Sequence, residues 1–188
     1  MAANQPPWPR EWLMTDERVG DQLWQAINAL PPGTGVVFRH YATPDEERIP
    51  LSRRIARHCR EHGLTLAVAR DARLAKELGG QLVHNPSGES GGLPFSRSAH
   101  SLEEAQAACR AGAALLFVSP IFPTRSHPGA PSLGHDEAVR IAQACSVPAI
   151  ALGGVSRANF EPLRSGGFYG WAGIDGWVGE SGRHEVNS

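Results

Sequence analysis

Short apolar runs alternate with segments of helical periodicity along this chain, and only a few residues separate most of them. That rhythm implies parallel strands joined by right-handed crossovers. Eight strand candidates can be placed, so a (β/α)8 TIM barrel is expected rather than an open doubly wound sheet. No Gly-x-Gly-x-x-Gly follows the first strand, which leaves the dinucleotide-binding form of the open sheet without support. Such barrels run to about 250 residues, and this chain has 188. The expected fold is therefore a compact barrel with a reduced fourth helix and a short C-terminal helix.

Taken in order, Trp12-Leu13-Met14-Thr15-Asp16 reads as the first strand. Leu23, Ile27 and Leu30 mark a helix that Pro31-Pro32-Gly33 ends. Gly35 to Arg39 is the second strand, and Ile49 to His62 the second helix, closed by Gly63. Leu64 to Ala69 is the third strand, Asp71 to Leu78 a short helix, and Gln81 to His84 the fourth strand. Asn85 to Pro94 has loop composition with no room for a full helix. Phe95 to Ala99 is the fifth strand. Ser101 to Ala111 is its helix, with Ser101 as cap and Glu104 three residues on. Ala113 to Val118 is the sixth strand and His135 to Cys145 its helix. Val147 to Leu152 is the seventh strand, and Ser156 to Arg164 a helix that Gly166-Gly167 ends. Phe168 to Ile174 is the eighth strand.

One domain is expected, spanning 11–178, between a Pro-rich lead at 1–10 and a polar tail at 179–188. The 18 basic and 19 acidic residues leave a net charge of -1, which gives no reason to expect nucleic acid or an anionic membrane as partner. No apolar stretch is long enough to span a bilayer, and no secretory signal opens the chain, so a cytoplasmic location is expected. Cys59, Cys109 and Cys145 each fall at an inward helical position. Three widely spaced cysteines suggest neither a disulfide framework nor a zinc site, and read as small buried apolar residues. A barrel short of helices would leave apolar surface, which points to a homodimer.

In a barrel the chemistry sits at the C-terminal ends of the strands. Those ends carry Arg39, His40 and Tyr41, then Arg70, His84, Ser98 and His100. Further on they carry Thr124 and Ser126, then Gly153 and Gly154, then Asp175. Gly153-Gly154 follows the seventh strand, where barrels often bind phosphate through backbone N–H groups, although the pair is equally a plain turn. Thr124 and Ser126 can donate hydroxyl hydrogen bonds to phosphate. His100 is either an acid–base group or a residue that fixes a loop.

The stretch from Phe117 to Gly134 leaves a buried strand and becomes a long loop rich in Pro and Gly. Loops of that length are more often functional than merely connecting. Pro120-Ile121-Phe122-Pro123-Thr124, Pro128-Gly129-Ala130-Pro131 and Leu133-Gly134 resemble the signature loop of the thiamine phosphate synthase family, which includes thiazole tautomerases. Ser98-Ala99-His100-Ser101-Leu102-Glu103-Glu104-Ala105 and Ala149-Ile150-Ala151-Leu152-Gly153-Gly154-Val155 fit the same family. The resemblance runs from about Phe95 to Val155.

What it implies is a protein of thiamine biosynthesis that couples hydroxymethylpyrimidine pyrophosphate with thiazole phosphate. Mg2+ and basic residues would stabilise the departing pyrophosphate. Arg39, Ser98, His100 and Thr124 are the catalytic candidates. Arg70, His84, Ser126, His127, Gly153, Gly154, Ile174 and Asp175 are candidates for holding the phosphorylated substrates. Several positions depart from the family pattern. Gln-x-Arg-x-Lys is reduced to Val37-Phe38-Arg39-His40-Tyr41, and Asn-Asp is replaced by Ala69-Arg70. His127 stands at a lysine position, and Asp175 follows Ile174 where the family has serine. Glu89 is the candidate metal ligand, in place of the family's last aspartate, and Arg70 could replace the metal's charge. Pro120 occupies the place of the tautomerase histidine, so that activity lacks its motif. Two alternatives remain open: a non-catalytic binder of thiamine-related phosphates, and an isomerase using His84 or His100 as acid–base.

Overall fold

The computed structural model describes residues 8–124, 129 and 131–178. Eight parallel strands close into a barrel in sequence order. They are β1 (Glu11–Met14), β2 (Gly35–Phe38), β3 (Thr65–Ala69), β4 (Leu82–His84), β5 (Phe95–Ala99), β6 (Leu115–Val118), β7 (Ala149–Leu152) and β8 (Gly170–Gly173). The helices around it are α1 (Gln22–Asn28), α2 (Asp45–Glu61), α3 (Ala72–Glu77), α4 (Leu102–Arg110), α5 (Gly134–Gln143), α6 (Glu161–Ser165) and α7 (Asp175–Val178). No helix separates β4 from β5, and α7 is four residues long among the described residues, as the sequence predicts.

The period-two pattern of the strands sorts the core into two layers. Trp12, Met14, Val37, Ala67, Leu82, Leu115, Phe117, Ile150 and Ala172 form one cluster inside the barrel. Leu13, Val36, Leu66, Val68, Val83, Leu116 and Trp171 join the other cluster, between strands and helices. Small residues make the interior possible. Trp12 lies in register with Gly35 on one side and Ala172 on the other, and a Cβ on Gly35 would strike the indole. Where β5 passes, Ser96 lies in register with His84 of β4 and Leu115 of β6, and is fully buried. The barrel is therefore polar at β4–β5 and apolar elsewhere.

Local chemistry shifts some expected boundaries. α2 begins at Asp45 rather than Ile49, with Pro50 inside it. Its first turn is Asp45-Glu46-Glu47, which the helix dipole favours without any burial, so apolar periodicity does not reveal it. The segment 156–164 is not one helix. It divides into a 3-10 turn (Arg157–Asn159) and α6. Asn159 accepts from the Ser156 N–H and donates to the Gly154 carbonyl, which closes the turn before Pro162 opens α6. At α4, Ser101 Oγ accepts from the Glu104 N–H as expected, but Glu104 reaches the His100 N–H, one residue further back.

Only Cys59 is a buried apolar thiol, and burial pushes it up to about 12. Cys109 and Cys145 are half-buried, and their side chains interact with each other.

Candidate functional site

Three residues other than glycine have positive φ among the described residues: His40 at 29°, Arg70 at 68° and Asn85 at 47°. They follow β2, β3 and β4, which are neighbours in the barrel. A left-handed backbone costs an L-residue roughly 1–2 kcal/mol, and such strain concentrates where function requires a fixed side chain. Surrounding hydrogen bonds hold the strain. The Arg70 N–H donates to the His84 carbonyl at 2.8 Å, and the Ser87 N–H donates to the Arg70 carbonyl at 3.1 Å. His40 is buried on Phe38, and its Nε2 has no partner among the described residues.

At the β1–β2 end, Arg39 is oriented by the strand beside it. Its N–H donates to Thr15 Oγ1, its Nε to the Thr15 carbonyl and its Nη2 to Asp16 Oδ2 at 3.2 Å. Asp16 also accepts from Arg18 Nε at 2.7 Å. Burial acts to raise the Asp16 carboxyl, but the Arg18 hydrogen bonds and the charges of Arg18 and Arg39 outweigh it and hold the pKa below its ordinary value. Burial lowers the Arg39 pKa, and Asp16 opposes that shift. Arg18 is raised, first by its bond to Asp16 and also by the charge of Asp175, which follows the neighbouring strand β8. Asp175, which could repel a phosphate, therefore faces a cation.

After β3, the Arg70 guanidinium lies 4.0 Å from the centre of the Tyr41 ring. Tyr41, 44% accessible, is the one large hydrophobic side chain exposed among the described residues. It sits on the rim, beside Arg70.

At β4–β5 a buried network replaces apolar packing. His84 Nδ1 lies 3.0 Å from Ser96 Oγ, and the ring meets Phe117 edge-on. Burial first, then the charges of Arg39 and Arg97, lower the His84 pKa to about 3. Asn85 grips Ser98 twice, donating to Ser98 Oγ at 2.9 Å and accepting from the Ser98 N–H at 2.8 Å. His100 Nδ1 sits 2.7 Å from the Ser119 carbonyl, at the root of the long loop.

That loop folds back on β7. Ile121 N–H donates to the Leu152 carbonyl and Phe122 N–H to the Gly153 carbonyl, both at 3.0 Å. Gly153 and Gly154 have φ of 90° and 67°. A Cβ on Gly153 would lie 2.8 Å from Pro120, and one on Gly154 would lie 2.8 Å from Phe122 and Pro123. The glycines thus have a packing reason as well as the expected ligand one.

A sequence model described as thiamine monophosphate synthase matches residues 93–176. A relative from Aquifex aeolicus is 29% identical over 180 residues, covering 88% of this chain and 96% of that one. The thiamine-phosphate synthase of Salinispora arenicola is 33% identical over 141 residues, covering 69% of this chain and 68% of that one. The chain belongs to the thiamine-phosphate synthase family. Membership places it in thiamine biosynthesis, as the loop from Phe117 to Gly134 suggests. The solved thiamine phosphate pyrophosphorylase of Pyrococcus furiosus shares the fold, with a TM-score of 0.78 at 22% identity over 93% of this chain and 89% of that one.

Among the candidate residues of this family member, Arg39, Arg70, Ser98, Thr124, Gly153, Gly154 and Asp175 come from strand ends or loops on one end of the barrel. His84 lies beneath them, enclosed by the network described, and Ile174 is buried. Ser126 and His127 lie outside the described residues. Glu89 is exposed in the β4–β5 loop.

The donor set does not fit the Mg2+ that the family implies. Mg2+ takes carboxylate and phosphate oxygens in octahedral geometry. After β3 the side chain offered is a guanidinium, and no group of three or more His, Cys, Asp or Glu is placed to hold a metal among the described residues. No described helix is long and apolar enough to cross a membrane. Sequence reasoning did not single out Asp16 and Asn85. Both are short polar residues at strand ends, a signal they share with many ordinary turns.

Proposed function

We propose that this protein joins hydroxymethylpyrimidine pyrophosphate to thiazole phosphate, forming thiamine phosphate and pyrophosphate. The carrying observation is what the mouth offers in the protein of this family: guanidinium and hydroxyl groups fixed by neighbouring side chains and backbone. His84 is buried and held neutral, and His100 uses Nδ1 on the Ser119 carbonyl.

The proposed reaction suits that equipment. The bond between the pyrimidine methylene carbon and the pyrophosphate oxygen breaks, and its electron pair leaves with pyrophosphate. The thiazole nitrogen lone pair then forms the new carbon–nitrogen bond. No proton has to move. What accumulates is negative charge on the leaving group, which preorganised donors stabilise without reorganising. Arg39 is preorganised by Thr15 and Asp16, and Ser98 by Asn85. The Gly153-Gly154 turn follows β7, on the opposite side, where the thiazole phosphate would bind. Holding both substrates in one mouth supplies the remaining acceleration through proximity. An isomerase would need an acid–base group, and of the two histidines His84 is buried and held neutral.

The test is thiamine phosphate formation by the purified chain from both substrates, with and without Mg2+. Turnover requiring both substrates supports the reading. Thermal stabilisation by thiazole phosphate without turnover under either condition would instead identify a binder.

A further inference from the structure

We propose that Tyr41 and Arg70 form a pyrophosphate subsite that works without a divalent metal, with Arg70 as the binding cation and Tyr41 as its positioning residue. The inference rests on the synthase reading for its ligand and deepens it.

Arg70 is the first residue after β3, and its backbone is held in a left-handed conformation from both sides. Its guanidinium has no carboxylate partner among the described residues. What it has is the Tyr41 ring, 4.0 Å away. A cation stacked on a ring keeps its N–H edge pointing outward while its face is covered. That edge matches two phosphate oxygens at once. A large aromatic ring left 44% exposed at a barrel mouth is otherwise unexplained by packing.

Arg39 completes the subsite from β2. Its Nε and Nη2 are committed to Thr15 and Asp16, and its remaining nitrogen, Nη1, has no hydrogen-bond partner among the described residues. The Tyr41 hydroxyl is partly desolvated and its pKa is raised, with the charges of Arg39 and Arg70 opposing that rise, so all three groups share one electrostatic neighbourhood. Two guanidinium groups facing one polyanionic ligand supply the charge that a divalent ion would otherwise bring.

The experiment is calorimetric titration of the full chain with inorganic pyrophosphate, once in EDTA and once in Mg2+. Binding is expected in EDTA, with a Kd within about threefold of the value in Mg2+. Arg70→Asn keeps a residue that tolerates positive φ and should weaken binding in EDTA by at least about tenfold with an unchanged melting temperature. Tyr41→Ala should weaken it by about fivefold, and Tyr41→Phe, which retains the ring, should restore it to within about twofold. Binding seen only with Mg2+, or unchanged in Arg70→Asn, overturns the proposal. Thiamine phosphate formation is assayed on the same samples. Turnover that needs Mg2+ leaves the synthase reading standing and removes this one. Metal-free, Arg70-dependent pyrophosphate binding without turnover does the reverse.

Discussion

The two sides of the barrel mouth use left-handed backbone in opposite ways. Around the long loop and β7 the positive-φ positions are glycines: Gly129, Gly134, Gly153 and Gly154. At Gly153 and Gly154 the loop packs so closely that a Cβ has no room. Just after β2, β3 and β4 the positive-φ positions are His40, Arg70 and Asn85, each carrying its side chain despite the strain. One side uses the conformation to bring backbones together. The other uses it to aim side chains, and Asn85 aims at Ser98 while Arg70 lies on Tyr41. The same φ angle is a packing device in one place and a positioning device in the other.

The largest effect expected concerns the polar interior on the side-chain half. Burial holds His84 at about 3, below its ordinary 6.5. A histidine depressed in the folded state adds stability that is present above its unfolded value and is lost as pH falls through the folded one. Stability should therefore decline from about pH 6.5 toward pH 3, by about 4–5 kcal/mol. Urea unfolding of the wild type and of His84→Asn over that range measures the difference, and parallel acid limbs would remove His84 as its source.

Gly154→Ala tests the packing half. Its Cβ collides with Phe122 and Pro123 at positive φ, so unfolding free energy should drop by about 3 kcal/mol. A melting temperature equal to wild type would show that the loop does not require the glycine. Next comes Arg39→Lys, which keeps the charge but cannot reproduce the bonds to Thr15 and Asp16 together. A fall of about 10- to 100-fold in kcat/KM is expected for thiamine phosphate formation, and a smaller change would mean that charge alone suffices. The smallest effect is at Asn85→Gly, which relaxes the strain while deleting both bonds to Ser98. The two terms nearly offset, leaving a loss of about 1 kcal/mol or less. A larger rise in KM than the stability change explains would show that Ser98 had lost its orientation.

Much of the scaffold is legible in the chain. β5 is expected and found at Phe95–Ala99, and the missing fourth helix follows from the loop composition of Asn85 to Pro94. The helix boundaries that moved did so where stability is not apolar. The acidic first turn of α2 answers to the dipole, and the break between Asn159 and Glu161 answers to a side-chain cap. The site is less legible. Arg39 and Gly153-Gly154 are visible through the family resemblance. Asp16, Arg18 and Asn85 act through partners on or just after neighbouring strands, which no spacing rule reveals.

By itself the sequence determined the order of strands and helices, the closure of eight strands and the family, because hydrophobic period, turn residues and loop motifs are local properties. Tertiary structure alone decided that His84 is a neutral core residue, that Asp175 faces Arg18 and that Arg70 lies on Tyr41. Burial, charge pairing and stacking depend on which strand ends the barrel brings together, and residues far apart in the chain acquire those neighbours only when it closes.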